Sequence, residues 1–352
     1  MRRHIEPHSA QSWARVRAPH RVLNKDSNVF WRVCNLIIPL TLFFVAFQMF
    51  AMANQDNSNA LPLAPGHSDE KELRGGETRA YTLKFGAGQL ALINVEQKGI
   101  DVTLALYAPD GKIVISLNDA NDAHAGRETL ALAIEATGDY KLEVKSERKW
   151  AATGKYSLKF EELRAASDED RSRNARELKS LALMEEGRKF LEEASAASWQ
   201  KAAEKYTEAL PLIRALGNRP TREAAALIAL GSSFGERGEL KKALENFQAA
   251  LALYRAAGDR WGEADALNNF GSVYYLSSDL EKSFASHTQA LPLARAAGDL
   301  FMESEILNNI GTVHRMAGRS QLAIDTHRQA LPLREVIGDR NAVAISNNNI
   351  GS

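Results

Sequence analysis

Apolar and polar positions follow two different periods along this chain, and the change of period divides it. Between residues 71 and 163 the apolar runs are short and alternating: Tyr81, Leu83 and Phe85; Val102, Leu104 and Leu106; then Ile113 to Leu117, Leu130 to Ile134, Tyr140 to Val144 and Tyr156 to Phe160. Leu90, Leu92 and Asn94 alternate less cleanly against Ala91, Ile93 and Val95. A period of two sends successive side chains to opposite faces, so each run predicts a half-buried antiparallel strand. About seven such strands predict an all-β sandwich of jelly-roll or immunoglobulin-like size over residues 71–163. Pro109-Asp110-Gly111 predicts a hairpin turn between Tyr107 and Lys112, proline presetting φ and glycine supplying freedom, and Gly138-Asp139 is a second turn before Tyr140.

From residue 176 the period becomes helical and the sequence repeats itself. Gly231, Gly271, Gly311 and Gly351 recur at intervals of 40, each after an apolar residue, and Ala250, Ala290 and Ala330 keep the same step. Leu267, Phe270, Gly271 and Tyr274 share one face of a first helix; Leu280, Phe284, His287, Ala290 and Leu291 form the stripe of a second. Each unit is therefore a helical hairpin, with the glycine and small alanines allowing close approach. Gly258, Gly298 and Gly338 are expected to end the second helix in the left-handed conformation. Pro211, Pro292 and Pro332 fall inside second helices, where a missing N–H predicts a recurrent bend. Residues 176–352 thus predict about four hairpins and a truncated fifth, and the halt at Ser352 predicts a fragment of a longer protein. Unpatterned residues 54–70 and 164–175 are expected to be linkers.

The 352 residues suggest two or three domains, and 45% hydrophobic with 25% charged residues argues against a disordered or multi-span membrane protein. The 44 basic and 44 acidic residues conceal a gradient. Residues 1–53 carry seven Lys/Arg against Glu6 and Asp26, leaving the body mildly acidic and without a field to attract nucleic acid. That basic stretch leads into Leu36 to Phe47, an uncharged run, and then Ala51-Met52-Ala53. The order predicts either a secretory signal peptide cleaved after Ala53 or an uncleaved anchor over residues 34–53. Either places the body outside the cytosol, periplasmic or extracellular, touching the membrane only through the N-terminal segment. Cys34 is the one cysteine, so disulfides, zinc–thiolate clusters and a thiol nucleophile are absent from the body.

The strings GETRAYTLKFGAGQLALINVEQKGIDVTLALYAPDGKIVISL, ETLALAIEATGDYKLEVKS and GKYSLKF resemble the bacterial pre-peptidase C-terminal type of β-sandwich. That resemblance implies an accessory binding or stabilising module, with calcium near loops such as the one holding Asp119, Asp122 and Glu128 in some relatives; a solvated polar loop is the alternative. Leu230-Gly231, Phe234, Ala243, Phe247 and Ala250 resemble tetratricopeptide repeats of the long, kinesin-light-chain-like variety, which implies a right-handed superhelix. Ser283 departs from the small alanine, His287 and His327 stand in the slot of Phe247, and the first unit carries about three extra residues between Gly187 and Ala202. The two modules in this order are similar to the N-terminal part of exported CHAT proteins, whose caspase-like domain has no counterpart in this sequence.

First helices of stacked hairpins line a groove. Counting from the glycines, its face is expected to hold Asp265, Asn268, Ser272 and Tyr275, then Glu305, Asn308, Thr312 and Arg315, with Asn348 repeating the position. An asparagine amide both donates and accepts, so such a row suits the backbone of an extended peptide; Asn269, Asn309 and Asn349 sit beside it. Bonds between neighbouring helices are the competing role for these amides. His287 and His327 read as core histidines, and His314 with Arg315 reads as solvated surface. No Walker loop or H-E-x-x-H string occurs, so neither catalysis nor a cofactor is implied. The expected function is an exported, non-enzymatic scaffold that binds a protein or peptide. The alternatives are the recognition arm of a CHAT-type peptidase and a calcium- or glycan-binding module with the repeats as spacer.

Overall fold

A computed structural model describes residues 60–351 apart from 101, 118–126, 147, 152 and 218. The expected signal or anchor, its Ala53 cleavage site, and Asp119 and Asp122 lie outside the described residues; Glu128 lies in a strand. Among the described residues no helix is long and apolar enough to cross a membrane.

The N-terminal half is two packed sheets built from β1 (Leu61–Pro62), β2 (Ser68–Leu73), β3 (Thr78–Phe85), β4 (Gln89–Lys98), β5 (Thr103–Tyr107), β6 (Ile113–Leu117), β7 (Arg127–Ala133), β8 (Gly138–Lys145) and β9 (Gly154–Ala165). One sheet runs β1-β3-β8-β5-β6, the other β2-β9-β4-β7, and neither closes into a barrel. The alternation is realised: Tyr81, Leu83 and Phe85 of β3 and Tyr156, Leu158 and Phe160 of β9 are buried in one core. On β4 the inward set is Ala91, Ile93 and Val95, while Asn94 bonds Glu161 and Thr129. A bulge at Glu161 of β9 shifts its pairing between Leu92 and Ile93, and the β4 run is ambiguous because Leu90 and Asn94, on its other face, are buried too. Tyr81 and Tyr156 share a 2.6 Å hydrogen bond across the two sheets. The linkers are shorter than expected. β2 begins inside residues 54–70; as an edge strand its SDEKEL sequence offers only Leu73 to the core and so carries no apolar alternation.

Nine helices follow among the described residues: α1 (Asp168–Glu192), α2 (Ala196–Leu216), α3 (Pro220–Glu236), α4 (Leu240–Ala257), α5 (Arg260–Leu276), α6 (Leu280–Ala296), α7 (Leu300–Met316), α8 (Ser320–Ile337) and α9 (Arg340–Gly351). They pair as α1/α2, α3/α4, α5/α6 and α7/α8, with α9 packed on α8. Helix α1 starts inside the second expected linker; Ser167 caps it, and Asp168, Glu169 and Asp170 suit the positive end of its dipole. Helices α2, α6 and α8 run on through Pro211, Pro292 and Pro332.

One packing motif holds every hairpin. A glycine on the first helix leaves a hole that a ring from the second helix fills: Gly187 under Tyr206, Gly231 under Phe247, Gly271 under His287 and Gly311 under His327. A Cβ at these glycines would stand 2.7, 2.5, 2.5 and 2.7 Å from the ring above. The Gly-Asp dipeptides join one hairpin to the next. Gly258, Gly298 and Gly338 take φ of +71°, +65° and +78°, and the following aspartates cap the next helix, Asp259 accepting from Gly262 N–H, Asp299 from Met302 N–H and Asp339 from Ala342 N–H. Arg255–Glu263 and Arg295–Glu303 pairs span the first two of these junctions, and Arg214–Glu223 spans the preceding one at Gly217.

The sandwich rests on the helices. Leu178 and Leu181 of α1 pack against its core, and Arg219 donates to the Thr129 carbonyl. Arg148, after β8, reaches the Asp299 cap at 2.8 Å, where Trp261 Nε1 also donates at 2.8 Å. Burial opposes ionisation of Asp299, but the Arg148 charge and these bonds outweigh it and hold the carboxyl below its usual range.

Gly231→Ala is expected to lower the stability of the full chain by about 1–3 kcal/mol, although glycine to alanine in a helix ordinarily stabilises. Thermal melts compare it with Gly231→Ala/Phe247→Leu, which is expected to recover part of the loss. A single variant as stable as wild type would show that the ring does not need the hole.

Candidate functional site

Successive first helices touch one another, α3 with α5 and α5 with α7, while successive second helices meet less, so the inner curve belongs to first helices. Along α5, Asp265 and Asn268 are buried, and Asn269, Ser272 and Tyr275 are half-buried. On α7, Glu305, Asn308, Asn309 and Thr312 are half-buried and Arg315 is exposed; Asn348 on α9 is exposed.

The amides do two separate jobs. Asn268 Oδ1 lies 2.9 Å from His287 Nδ1 and accepts from Asn309 Nδ2 at 3.1 Å. One repeat on, Asn308 Oδ1 accepts from Asn349 Nδ2 at 3.3 Å and from Arg334 Nη1 at 3.4 Å. The oxygens of the first set therefore receive the amide groups of the second set across the repeat junction. Asn269 donates back to Asp265, and Ser272 and Thr312 donate to the carbonyls of Asn268 and Asn308 within their own helices. The Nδ2 groups of Asn268 and Asn308 donate to nothing among the described residues and are not sealed from solvent.

The histidines divide as well. His287 is fully buried with its bond to Asn268, and burial pushes its pKa down to about 3. His327 is equally buried, but neither ring nitrogen finds a partner. His314 is a correction to the sequence reading: it is 8% exposed and packs on Phe284 at 5.0 Å. It sits at the register of Phe234 and Tyr274, whose side is turned toward a second helix, so solvation was the wrong expectation.

Two groups escaped the sequence reading. Arg334, 2% exposed, bonds Glu305 at 2.7 Å, Ser346 Oγ at 2.8 Å and the Ala342 carbonyl at 3.0 Å, tying α7, α8 and α9 together. Glu236 closes α3 with Oε1 buried and unbonded, and burial raises its carboxyl to about 7. The signal was present in the 40-residue register, where Tyr254 and Ala294 stand for Arg334, and Leu276 and Met316 for Glu236. Among the described residues no group of three metal-ligating side chains assembles.

Residues 262–335 match the tetratricopeptide repeat family. These residues run from α5 to α8, the two hairpins that carry Asn268, Asn308 and Asn309. No curated protein matches the chain. Among solved structures, BtubC (BKLC) from P. vanneervenii is similar over 53% of this chain and 83% of its own, with 17% identity and a TM-score of 0.42. The Rap conjugation gene regulator of plasmid pLS20, in complex with the Phr* peptide, is similar over 51% of this chain at 16% identity and TM-score 0.41; the chain spans 53% of its length. The pre-peptidase C-terminal domain of collagenase from Bacillus anthracis is similar over 30% of this chain and 94% of its own, at 18% identity and TM-score 0.23.

Asn268→Ala leaves His287 and Asn309 without their acceptor, so a loss of about 1–3 kcal/mol is expected in denaturant unfolding, against a smaller loss for Asn269→Ala, whose bonds stay within one tetratricopeptide helix. Equal losses would remove the junction role.

Glu236→Leu is expected to raise the melting temperature at pH 8, with a smaller gain at pH 5. The sign follows from linkage: the folded carboxyl titrates at about 7 against an ordinary 4.5, so it binds protons more tightly when folded and its burden grows as pH rises through that window. A gain independent of pH would mean that the carboxylate is not the cause.

Proposed function

We propose that the chain is a non-enzymatic scaffold acting outside the cytosol, whose tetratricopeptide groove binds an extended protein segment by its backbone. The observation that carries this is the free donor side of Asn268 and Asn308. With their oxygens fixed at the repeat junctions, these amides are held in orientation, and two N–H donors one repeat apart suit carbonyls spaced along an extended peptide whatever the side chains are. Tyr275 and Arg315, half-buried and exposed on neighbouring first helices, supply an aromatic surface and a cation for a side chain or acidic group. The basic leader before an apolar run supports export.

The test separates binding from stacking. A random-peptide display selection on the full chain provides ligands, and fluorescence anisotropy compares wild type with Asn268→Asp/Asn308→Asp, which keeps both acceptor oxygens and removes the donors. At least a tenfold weakening, about 1.4 kcal/mol, with hairpins still folded by circular dichroism is expected. Ligands retained at full strength would sink the amide role, and a selection that enriches nothing would sink the groove.

A further inference from the structure

His327 is the one ring of the packing motif that is polar and unsatisfied. It sits over Gly311 as Phe247 sits over Gly231, with 0% exposure and no bond at Nδ1 or Nε2. His287, in the same slot of the preceding hairpin, has Asn268 for a partner. The corresponding Asn308 oxygen is drawn instead to Arg334 and Asn349. A neutral imidazole at His327 loses its hydrogen bonds to water on folding, and a charged one would lose far more.

Two of the packed elements add repulsion to a charged ring, and the carboxylates on them are paired or exposed. Helix α8 packs on α7 and α9. On α8, Arg334 adds repulsion, Asp325 and Arg328 lie as an exposed pair 3.9 Å apart, and Glu335 is exposed. On α7, Arg315 adds repulsion; Glu303 is held by Arg295, Glu305 is held by Arg334, and His314 packs on Phe284. On α9, Arg340 is the only charged residue, and it is exposed. Burial first, then Arg334 and Arg315, bring the His327 pKa down to about 4.

We propose that the α7/α8 hairpin is an acid-labile element of the solenoid, in which protonation of His327 drives its ring out of the slot over Gly311 and loosens α8 from α7. Because Arg334 lies on the same helix and carries the bonds to Ser346 and the Ala342 carbonyl, the opening also frees α9. Acidification thus loosens the part of the groove that holds Asn308 and Arg315 while leaving the Phe247 hairpin in place; in the hairpin between them His287 is pushed lower still, but its ring keeps the bond to Asn268. This goes beyond peptide binding and does not depend on it, since the readout is the fold of one hairpin.

The sign is set by linkage. A histidine with a depressed folded pKa contributes its stability fully above its ordinary value of 6.5 and loses it as pH falls toward 4. Hydrogen exchange of the full chain, followed by mass spectrometry and corrected for intrinsic rates, compares α8 with α4 at pH 7.5 and pH 5.0. The expected result is an α8 opening equilibrium about 30-fold more favourable at pH 5.0, with α4 not sharing that change. His327→Phe, which restores the residue type of the Phe247 slot, is expected to abolish the difference; His327→Leu serves if the larger ring does not fit. A histidine NMR titration of wild type is independent of any variant and is expected to place His327 below 5. An unchanged α8 to α4 ratio at pH 5.0, the same acid response in the His327 variants, or a titration at 6.5 would each overturn the proposal.

Discussion

The helical half depends on a hole and a ring. Without a side chain at Gly187, Gly231, Gly271 and Gly311, the first helix of each hairpin admits a ring from the second, and both backbones come close enough to bury the alanines on either side. Ala243, Ala250, Ala290 and Ala330 are almost wholly enclosed, so close approach of the helices adds to the burial that bulky side chains such as Phe247 and Tyr254 provide. The sequence spacing follows the geometry: sixteen residues separate glycine from ring in three hairpins, and nineteen in the first, where the turn carries its extra residues.

Chemistry enters where the ring changes type. Phe247 needs nothing from its surroundings, whereas His287 requires an acceptor and recruits the Asn268 oxygen. That oxygen also takes the amide of Asn309 in the next repeat, so an intrahairpin polar contact is continuous with an interhairpin one. One repeat later Arg334 claims the equivalent oxygen, and His327 is left bare. The hairpin closed by Phe247 and those closed by the buried histidines therefore differ in what acid does to them, and Glu236, half-buried at the end of α3, has the opposite response.

The junction between the two halves is polar where it is long-range and apolar where it is local. Helix α1 follows β9 directly and packs Leu178 and Leu181 on the sandwich core. Arg148 meets Asp299 across 151 positions of sequence, at a carboxylate already committed to capping α7 and to Trp261. One aspartate thereby joins the sandwich, α5 and the cap of α7, and its burial makes the Arg148 charge a requirement of that arrangement.

Periodicity decided a great deal by itself. Alternation over Tyr81 to Phe85 and Tyr156 to Phe160 specified strands, and the 40-residue recurrence of glycine and alanine specified stacked hairpins, because local geometry reads directly onto spacing. Strand β2 stayed hidden, since a polar edge strand presents only Leu73 to the core. The amides could be placed on one face from sequence, but which asparagine accepts and which donates depended on the 41-residue offset between helices in space. Tertiary structure alone decided that His314 is covered, that Arg334 is enclosed and that Arg148 reaches Asp299. A spacing rule fixes where a side chain sits along its own helix, whereas its hydrogen bonds and ionisation are fixed by elements that fold against it from elsewhere in the chain.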